Sequence, residues 1–232
     1  MDEKARGWFS RDALLHTDMS EALARGLGEI AAASEDGVLI SADDAFCGML
    51  SCRDLEAALE LLAGRSFPLL AIHQAELEGE LCARLGLETW MRCRQAVYER
   101  TEPPAFDGSG IRPLTGEHLD FLTANYRQED SEYLAWLLER GALFGAFREG
   151  RPVGFIGNHA EGGMGLLEVL PAWRRRGIGR ELESFLIARE LRLGHRPYCQ
   201  VFPENAPSLA LQRKLGLTVT EDLVIWLRSP EN

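Results

Sequence analysis

Arg174, Arg175, Arg176 and Arg180 fall within seven residues, with Gly177 and Gly179 set among them. Leu167-Glu168-Val169-Leu170-Pro171 runs straight into this cluster, so the order reads strand, turn, glycine-bearing loop, helix. That order suits an anion. A helix N-terminus offers N–H donors without intrahelical partners and a partial positive charge. Glycines lack a Cβ and let oxygens approach the backbone, and arginines add charge-assisted bonds. Two familiar phosphate loops do not fit: Leu182 stands where a Rossmann fingerprint needs its third glycine, and no Gly-Lys-Ser/Thr follows. A solvated charge run is the competing explanation for the arginines.

The surrounding chain has 232 residues, 46% hydrophobic and 26% charged, a globular balance that excludes disorder and low-complexity fibres. Net charge is -11, which argues against a nucleic-acid partner. Residues 1–106 hold 19 acids and 10 bases, residues 107–232 hold 17 and 15, so the basic knot is local. It suggests an anionic ligand of limited size. No apolar run reaches the roughly 18 residues of a membrane span. Met1 to Arg11 lacks the apolar core of a signal peptide. A cytoplasmic chain without a membrane partner is expected. The five cysteines are an odd count with no zinc spacing, so reduced thiols and no metal are expected.

Elements follow from periodicity and punctuation. Thr101-Glu102-Pro103-Pro104-Ala105-Phe106-Asp107-Gly108 breaks the chain, giving an N-terminal α/β domain at 1–102, a linker at 103–108 and a second domain at 109–232. The first domain is expected to hold helical patterns around Ala13–Leu15 and Ala22–Ile30, strands at Val38–Ile40, Phe67–His73 and Trp90–Tyr98, and a helix from Glu76 to Leu85. In the second, Ile111–Leu114 reads as an edge strand because Pro113 cannot donate. Thr115 and Ser131 are expected to cap helices reaching Tyr126 and Arg140. Leu143–Arg148 and Pro152–Asn158 pair as a hairpin, Gly162-Gly163 turns into a strand at Met164–Leu170, and Arg180–Leu193 is a helix closed by Gly194. Strand Tyr198–Phe202, helix Pro207–Leu215 and strand Val219–Leu227 complete it. Phe67–Ile72 with Leu85-Gly86-Leu87 is echoed by Arg196–Val201 with Leu215-Gly216-Leu217, pointing to a shared supersecondary unit.

With these residues in place, 108–232 resembles the GCN5-related N-acetyltransferases (GNAT). Arg174, Gly177 and Gly179 match the family's Arg/Gln-x-x-Gly-x-Gly/Ala, Val169 and Pro171 its Val-x-Pro, and Asn205, Ser208 and Leu215-Gly216-Leu217 its downstream pattern. The resemblance implies an α/β (α+β) fold. A mixed, mostly antiparallel sheet would be flanked by helices and preceded by a smaller, degenerate GNAT-like domain without cofactor. It further implies acetyl-CoA, or another acyl-CoA, with its pyrophosphate on the amides of Arg175, Arg176, Gly177, Ile178, Gly179 and Arg180. Val169 and Leu170 would pair with the pantetheine, and Asn205 would sit near the thioester, where the fourth and fifth strands of this domain splay. Gly162–Leu167, Arg196-Pro197-Tyr198 and Trp226 narrow the likeness to the FR47-like and glycine N-acyltransferase-like branch.

Amide formation needs a neutral amine, and deprotonating an alkyl amine at pH 7 costs roughly 4 kcal/mol. A base can supply this. The family's usual catalytic positions are vacant: Gln212 replaces a Tyr general acid, and Gln200 and Gly163 stand where two branches carry Glu. Candidate catalytic residues are Glu168, on the strand face opposite Val169, with a salt-bridged surface role as its alternative, and Glu161 and His159 on the preceding hairpin. Tyr133, Gln200 and Gln212 are candidate substrate contacts, and Trp136 is a candidate for the acceptor pocket whose alternative, core packing, is favoured. The resulting expectation is an N-acyltransferase acting on the primary amine of a small molecule or amino acid. A non-catalytic acyl-CoA sensor, a protein N-terminal or Lys acetyltransferase, and an interaction protein are the alternatives. The N-terminal domain is expected to shape the acceptor pocket or a homodimer interface.

Overall fold

The computed structural model describes residues 3–43 and 46–230. The first half comprises α1 (Glu3–Phe9), α2 (Thr17–Ala24), β1 (Gly28–Ser34), β2 (Gly37–Ala42), β3 (Cys47–Cys52), α3 (Leu55–Leu62), β4 (Leu69–Ile72), α4 (Glu78–Leu85) and β5 (Glu88–Val97). After a stretch without helix or strand at 98–110 come β6 (Ile111–Pro113), α5 (Leu119–Asn125), α6 (Ser131–Glu139), β7 (Leu143–Arg148), β8 (Arg151–Asn158), β9 (Met164–Val169), α7 (Ile178–Arg192), β10 (Tyr198–Val201), α8 (Ala206–Leu215) and β11 (Thr218–Arg228). The fold is the expected mixed, mostly antiparallel sheet with helices on both faces.

All the strands join one sheet in the order β1-β2-β3-β4-β11-β5-β10-β9-β8-β7-β6. Each half contains one parallel pair, β3 with β4 and β9 with β10, and the remaining ladders are antiparallel. The halves exchange their last strands: β11 lies between β4 and β5, and β5 lies between β11 and β10. Alternation along β11 explains why it serves both layers of the first half. Val224 and Trp226 face a core with Trp8, Met19 and Met49, while Ile225 and Leu227 face one with Leu50, Leu61 and Leu81. The echo read from sequence has a backbone cause. α4 and α8 both end on a glycine in the left-handed region, Gly86 at φ 67° and Gly216 at φ 93°, and each glycine feeds the exchanged strand.

Some expectations need correction. The helical patterns around Ala13–Leu15 and Ala22–Ile30 are interrupted. The chain turns between Phe9 and Thr17, and Gly26 at φ 68° ends α2 so that Ile30 enters β1. β3 is buried throughout and shows no alternation to read, so it was not foreseen. The cap of α6 is Asp130, whose carboxylate accepts from Tyr133 N at 2.8 Å, one residue before Ser131. Pro113 does lie on the edge strand.

An ion cluster pins the halves together. Arg25, after α2, bonds Glu190 of α7 at 2.8 Å, Glu21 at 3.0 Å, and the carbonyls of Gly162 at 2.7 Å and Arg196 at 3.0 Å. The side chains of Arg25 and Glu190 are 4% and 2% exposed. Removing one member of such a pair strands a buried charge. Arg25→Met is therefore expected to lower unfolding free energy by about 3 kcal/mol in urea titrations, and Arg25→Met with Glu190→Leu to recover much of the loss.

Candidate functional site

β9 is built to leave its neighbour. Leu166 sits at φ 53°, unusual for a branched side chain, and the register against β8 shifts between Phe155 and Gly157. Against β10, β9 pairs only at Met164 and Cys199. Beyond that pair the strands diverge and a cleft of ≈ 910 Å³ opens between the halves of the sheet. From β9 the chain passes through Leu170 and a short 3₁₀ turn at Pro171–Trp173 into the arginine loop and α7.

The loop is shaped for an anion. Arg175 at φ 63° and Gly177 at φ 84° put left-handed backbone on either side of Arg176. Among the described residues, no protein acceptor takes the N–H groups of Arg175, Arg176, Gly177, Ile178, Gly179 or Arg180. Ile178 is buried and fixes the helix start, while Arg175, Arg176, Gly177 and Arg180 are exposed. Arg176 stacks over Trp173 at 5.0 Å, and Arg180 reaches the Ala105 carbonyl at 3.5 Å. A Cβ on Gly179 would meet only ordinary contacts with Val169, Leu167 and Leu211, so packing does not demand a glycine there. These donors fit a pyrophosphate.

The edge of β9 is already in use. Leu170 N donates to Val153 O at 2.9 Å, so of Val169 and Leu170 only Val169 turns both backbone groups into the splay, a correction to the expected pairing. Val169 N donates to Glu168 Oε1 at 3.0 Å and Val169 O accepts from Arg174 Nε at 2.9 Å, while Arg174 Nη2 bonds Glu168 Oε1 at 2.9 Å. Glu168 thus takes the salt-bridged alternative. The pair is 57% and 27% exposed, and such surface pairs contribute about 0–1 kcal/mol, so an incoming chain can displace it.

Glu161, His159 and Tyr133 form one wall of the cleft. Glycines make room for them. A Cβ on Gly165 would collide with the His159 ring, and one on Gly163 would lie 3.1 Å from Glu161 Oε1 and 3.3 Å from the Tyr198 ring. His159 stacks on Tyr133 at 6.3 Å, and the Tyr133 hydroxyl accepts from Ala160 N at 3.1 Å. Burial lowers the His159 pKa, offset in part by Glu129, so the ring is neutral at pH 7. Burial raises Glu161 to about 7, partly opposed by its own backbone N–H. Trp136 does not line the cleft and stacks on Tyr133 from the core side at 5.8 Å.

Gln200, Asn205, Ser208 and Gln212 also line the cleft. Gln200 Oε1 accepts from Trp226 Nε1 at 2.5 Å, and its Nε2 donates to Asp18 at 3.2 Å and Gln95 at 3.3 Å. Its amide is therefore engaged in a buried network that continues from Asp18 to His73 at 2.9 Å. Asn205 caps α8 by accepting from Ser208 N at 3.2 Å. Gln212 lies 2% exposed beside Glu183, a residue that sequence reasoning missed. Glu183 was findable, because it occupies the apolar stripe formed by Ile178, Leu182, Leu186 and Ile187. Glu129, Trp90 and Phe46 also line the cleft without having been singled out.

Sheet, splayed parallel pair and open amide loop together define the GNAT type of acetyltransferase fold. Residues 111–217 match the acetyltransferase (GNAT) family. A putative GNAT-family acetyltransferase from Novosphingobium aromaticivorans superposes with TM-score 0.61 at 17% identity, over 94% of this chain and 97% of that one. A GCN5-related N-acetyltransferase from Kribbella flavida gives 0.57 at 13% identity, over 100% and 97%. A Drosophila protein gives 0.61 at 18%, over 83% and 73%. At these identities the likeness is one of fold. No curated protein matches the chain. No described helix is long and apolar enough to cross a membrane, and among the described residues no cluster is placed to hold a metal.

Burial lifts both Glu161 and Glu183 from 4.5 to about 7. The folded state therefore binds more protons than the unfolded state between these values, and stability falls as pH rises through that window. Glu161→Gln with Glu183→Gln is expected to flatten the dependence of melting temperature on pH between about 4.5 and 7. An unchanged slope in thermal scans contradicts the assignment.

Proposed function

We propose that this protein transfers a short acyl group, acetyl in the simplest case, from acyl-CoA to the primary amine of a small cationic molecule or amino acid, by direct attack in a ternary complex. One observation carries the reading: an exposed loop of unpartnered amides and arginines follows β9, whose Leu167 and Glu168 line a cleft that also holds Asp43, Glu129, Asp130, Glu161 and Glu183. Among the described residues that line it, the only Lys or Arg is Arg228. A positive loop with a negative cleft suits an anionic donor tail and a cationic acceptor.

The residues divide the work. The amides from Arg175 to Arg180, with the side chains of Arg175, Arg176 and Arg180, hold the pyrophosphate. Arg174 and Glu168 release Val169, whose N–H and C=O then align the pantetheine as an added strand. Asn205 and Ser208 begin the helix that flanks the thioester end. The coenzyme supplies an activated thioester, so the protein's task is orientation and proton handling. Glu161, ionised above about 7, accepts the amine proton, and Tyr133 and His159 wall the acceptor. Direct attack is supported by the thiols. Burial pushes Cys93 up to about 12, and Cys47 and Cys199 well above their usual value, so none is a thiolate nucleophile at neutral pH. The FR47-like and glycine N-acyltransferase-like reading remains tied to the Gly162–Leu167 run, Tyr198 and Trp226.

The decisive experiment is thiol release from acetyl-CoA across a panel of amines. Binding without turnover supports the sensor alternative. Reversing charge in Arg175→Glu, Arg176→Glu and Arg180→Glu together is expected to weaken coenzyme A binding at least about tenfold in calorimetry while leaving acceptor KM unchanged. Equal effects on donor and acceptor contradict the loop assignment. Glu161→Gln is expected to lower kcat about 10²–10⁴-fold. It should also abolish the rise in wild-type rate through about pH 7.

A further inference from the structure

Glu183 and Gln212 form a buried pair whose chemistry the proton-acceptor role of Glu161 leaves unused. Both are 2% exposed, both line the cleft, and they meet side chain to side chain from α7 and α8. Glu183 Oε2 and Gln212 Oε1 have no hydrogen-bond partner among the described residues. A buried acceptor without a donor costs about 1–3 kcal/mol. One added proton relieves both. Held on the Glu183 carboxyl, it removes the charge and provides the donor that the neighbouring acceptor lacks. The other titratable group facing Glu183 is the Cys199 thiol on β10, which burial and Glu183 keep neutral. Gln212 itself occupies the position where the family resemblance implies a proton-donating Tyr, a task a glutamine cannot perform.

We propose that Glu183 is the proton donor to the departing coenzyme A sulfur and that Gln212 positions it. This rests on the acyl-transfer reading above. The amine nitrogen bonds to the thioester carbon, the C–S bond breaks, and its electron pair stays on sulfur. Glu183 passes its proton to that sulfur, yielding the free thiol, and Glu161 takes the proton lost by the amine. Glu183 leaves the step as carboxylate and Glu161 as acid, and exchange with solvent through the open cleft restores both. Burial, which holds the Glu183 carboxyl near a pKa of about 7, keeps a substantial fraction protonated at neutral pH.

The test uses the full chain with coenzyme A, desulfo-coenzyme A (which lacks the sulfur) and acetyl-CoA with the amine panel. Infrared difference spectra, wild type minus Glu183→Gln, should contain one protonated-carboxyl band below about pH 7. That band should shift on adding coenzyme A and stay put with desulfo-coenzyme A. Glu183→Gln should bind coenzyme A as wild type does and lose at least about 10²-fold in kcat with donor KM unchanged. Glu183→Leu restores an apolar residue to the α7 stripe, so it should fold and show the same loss even if the Gln variant does not. A band indifferent to the sulfur, or kcat within about twofold of wild type in a folded variant, overturns the proposal while leaving donor binding intact. Failure of wild type to bind coenzyme A overturns the acyl-transfer reading and this proposal with it.

Discussion

β10 is held on one side by β5, through a four-residue antiparallel ladder from Tyr198 to Val201, and on the other by β9 at one residue pair. That imbalance makes the site. A strand with two full neighbours would leave no gap, and a strand with one would be an edge. Here the first half supplies a full neighbour in β5, so β10 stays in the sheet while β9 peels away at Leu166 and leaves the facing edge of β10 open to the gap. The gap is backbone-lined on the β9 side and carries side chains from both halves of the sheet. Exchange of β5 and β11 is thus part of how the cleft is built, and the buried Arg25–Glu190 cluster fixes the same junction from the helix side.

Electrostatics divides the site into two regions. At the α7 N-terminus, unpartnered amides and exposed arginines concentrate positive potential near solvent, where a large anion can arrive and keep part of its hydration. Inside the cleft, carboxylates sit in a poorly solvated wall that resists ionisation. Burial is the largest influence on both Glu161 and Glu183 and brings each to about 7. Two carboxyls poised near neutrality, one beside His159 and Tyr133 and one on α7, have the pKa values that the opposite proton roles proposed above require. The Arg174–Glu168 pair lies between these regions and covers the Val169 backbone until something better arrives.

Much of this was legible in the residues. The arginine loop after Pro171, the edge position of Pro113 and the glycine stops at Gly86 and Gly216 are local signals, decided by backbone chemistry within a few positions. The illegible parts depend on long-range partners. Nothing local says that Thr218–Arg228 will insert between β4 and β5, because a strand's neighbours are chosen by the whole sheet. β3 is buried on both faces and carries no alternation. Leu170 looked equivalent to Val169 until the register against β8 showed which residue turns its backbone outward. Glu183 could have been found, since a carboxylate inside the apolar stripe of α7 is an anomaly of pattern. The pairing with Gln212 that gives it meaning required the packing of α7 against α8.

Acyl transfer at this cleft requires the arginine loop to take the pyrophosphate of an acyl carrier. Amide-resolved NMR titration of the full chain with coenzyme A, and in parallel with pantetheine alone, addresses this directly. The expected result is that the amides of residues 175–180 shift with coenzyme A and not with pantetheine, while Val169 shifts with both. Loop amides that stay unmoved while coenzyme A perturbs some other surface would contradict it.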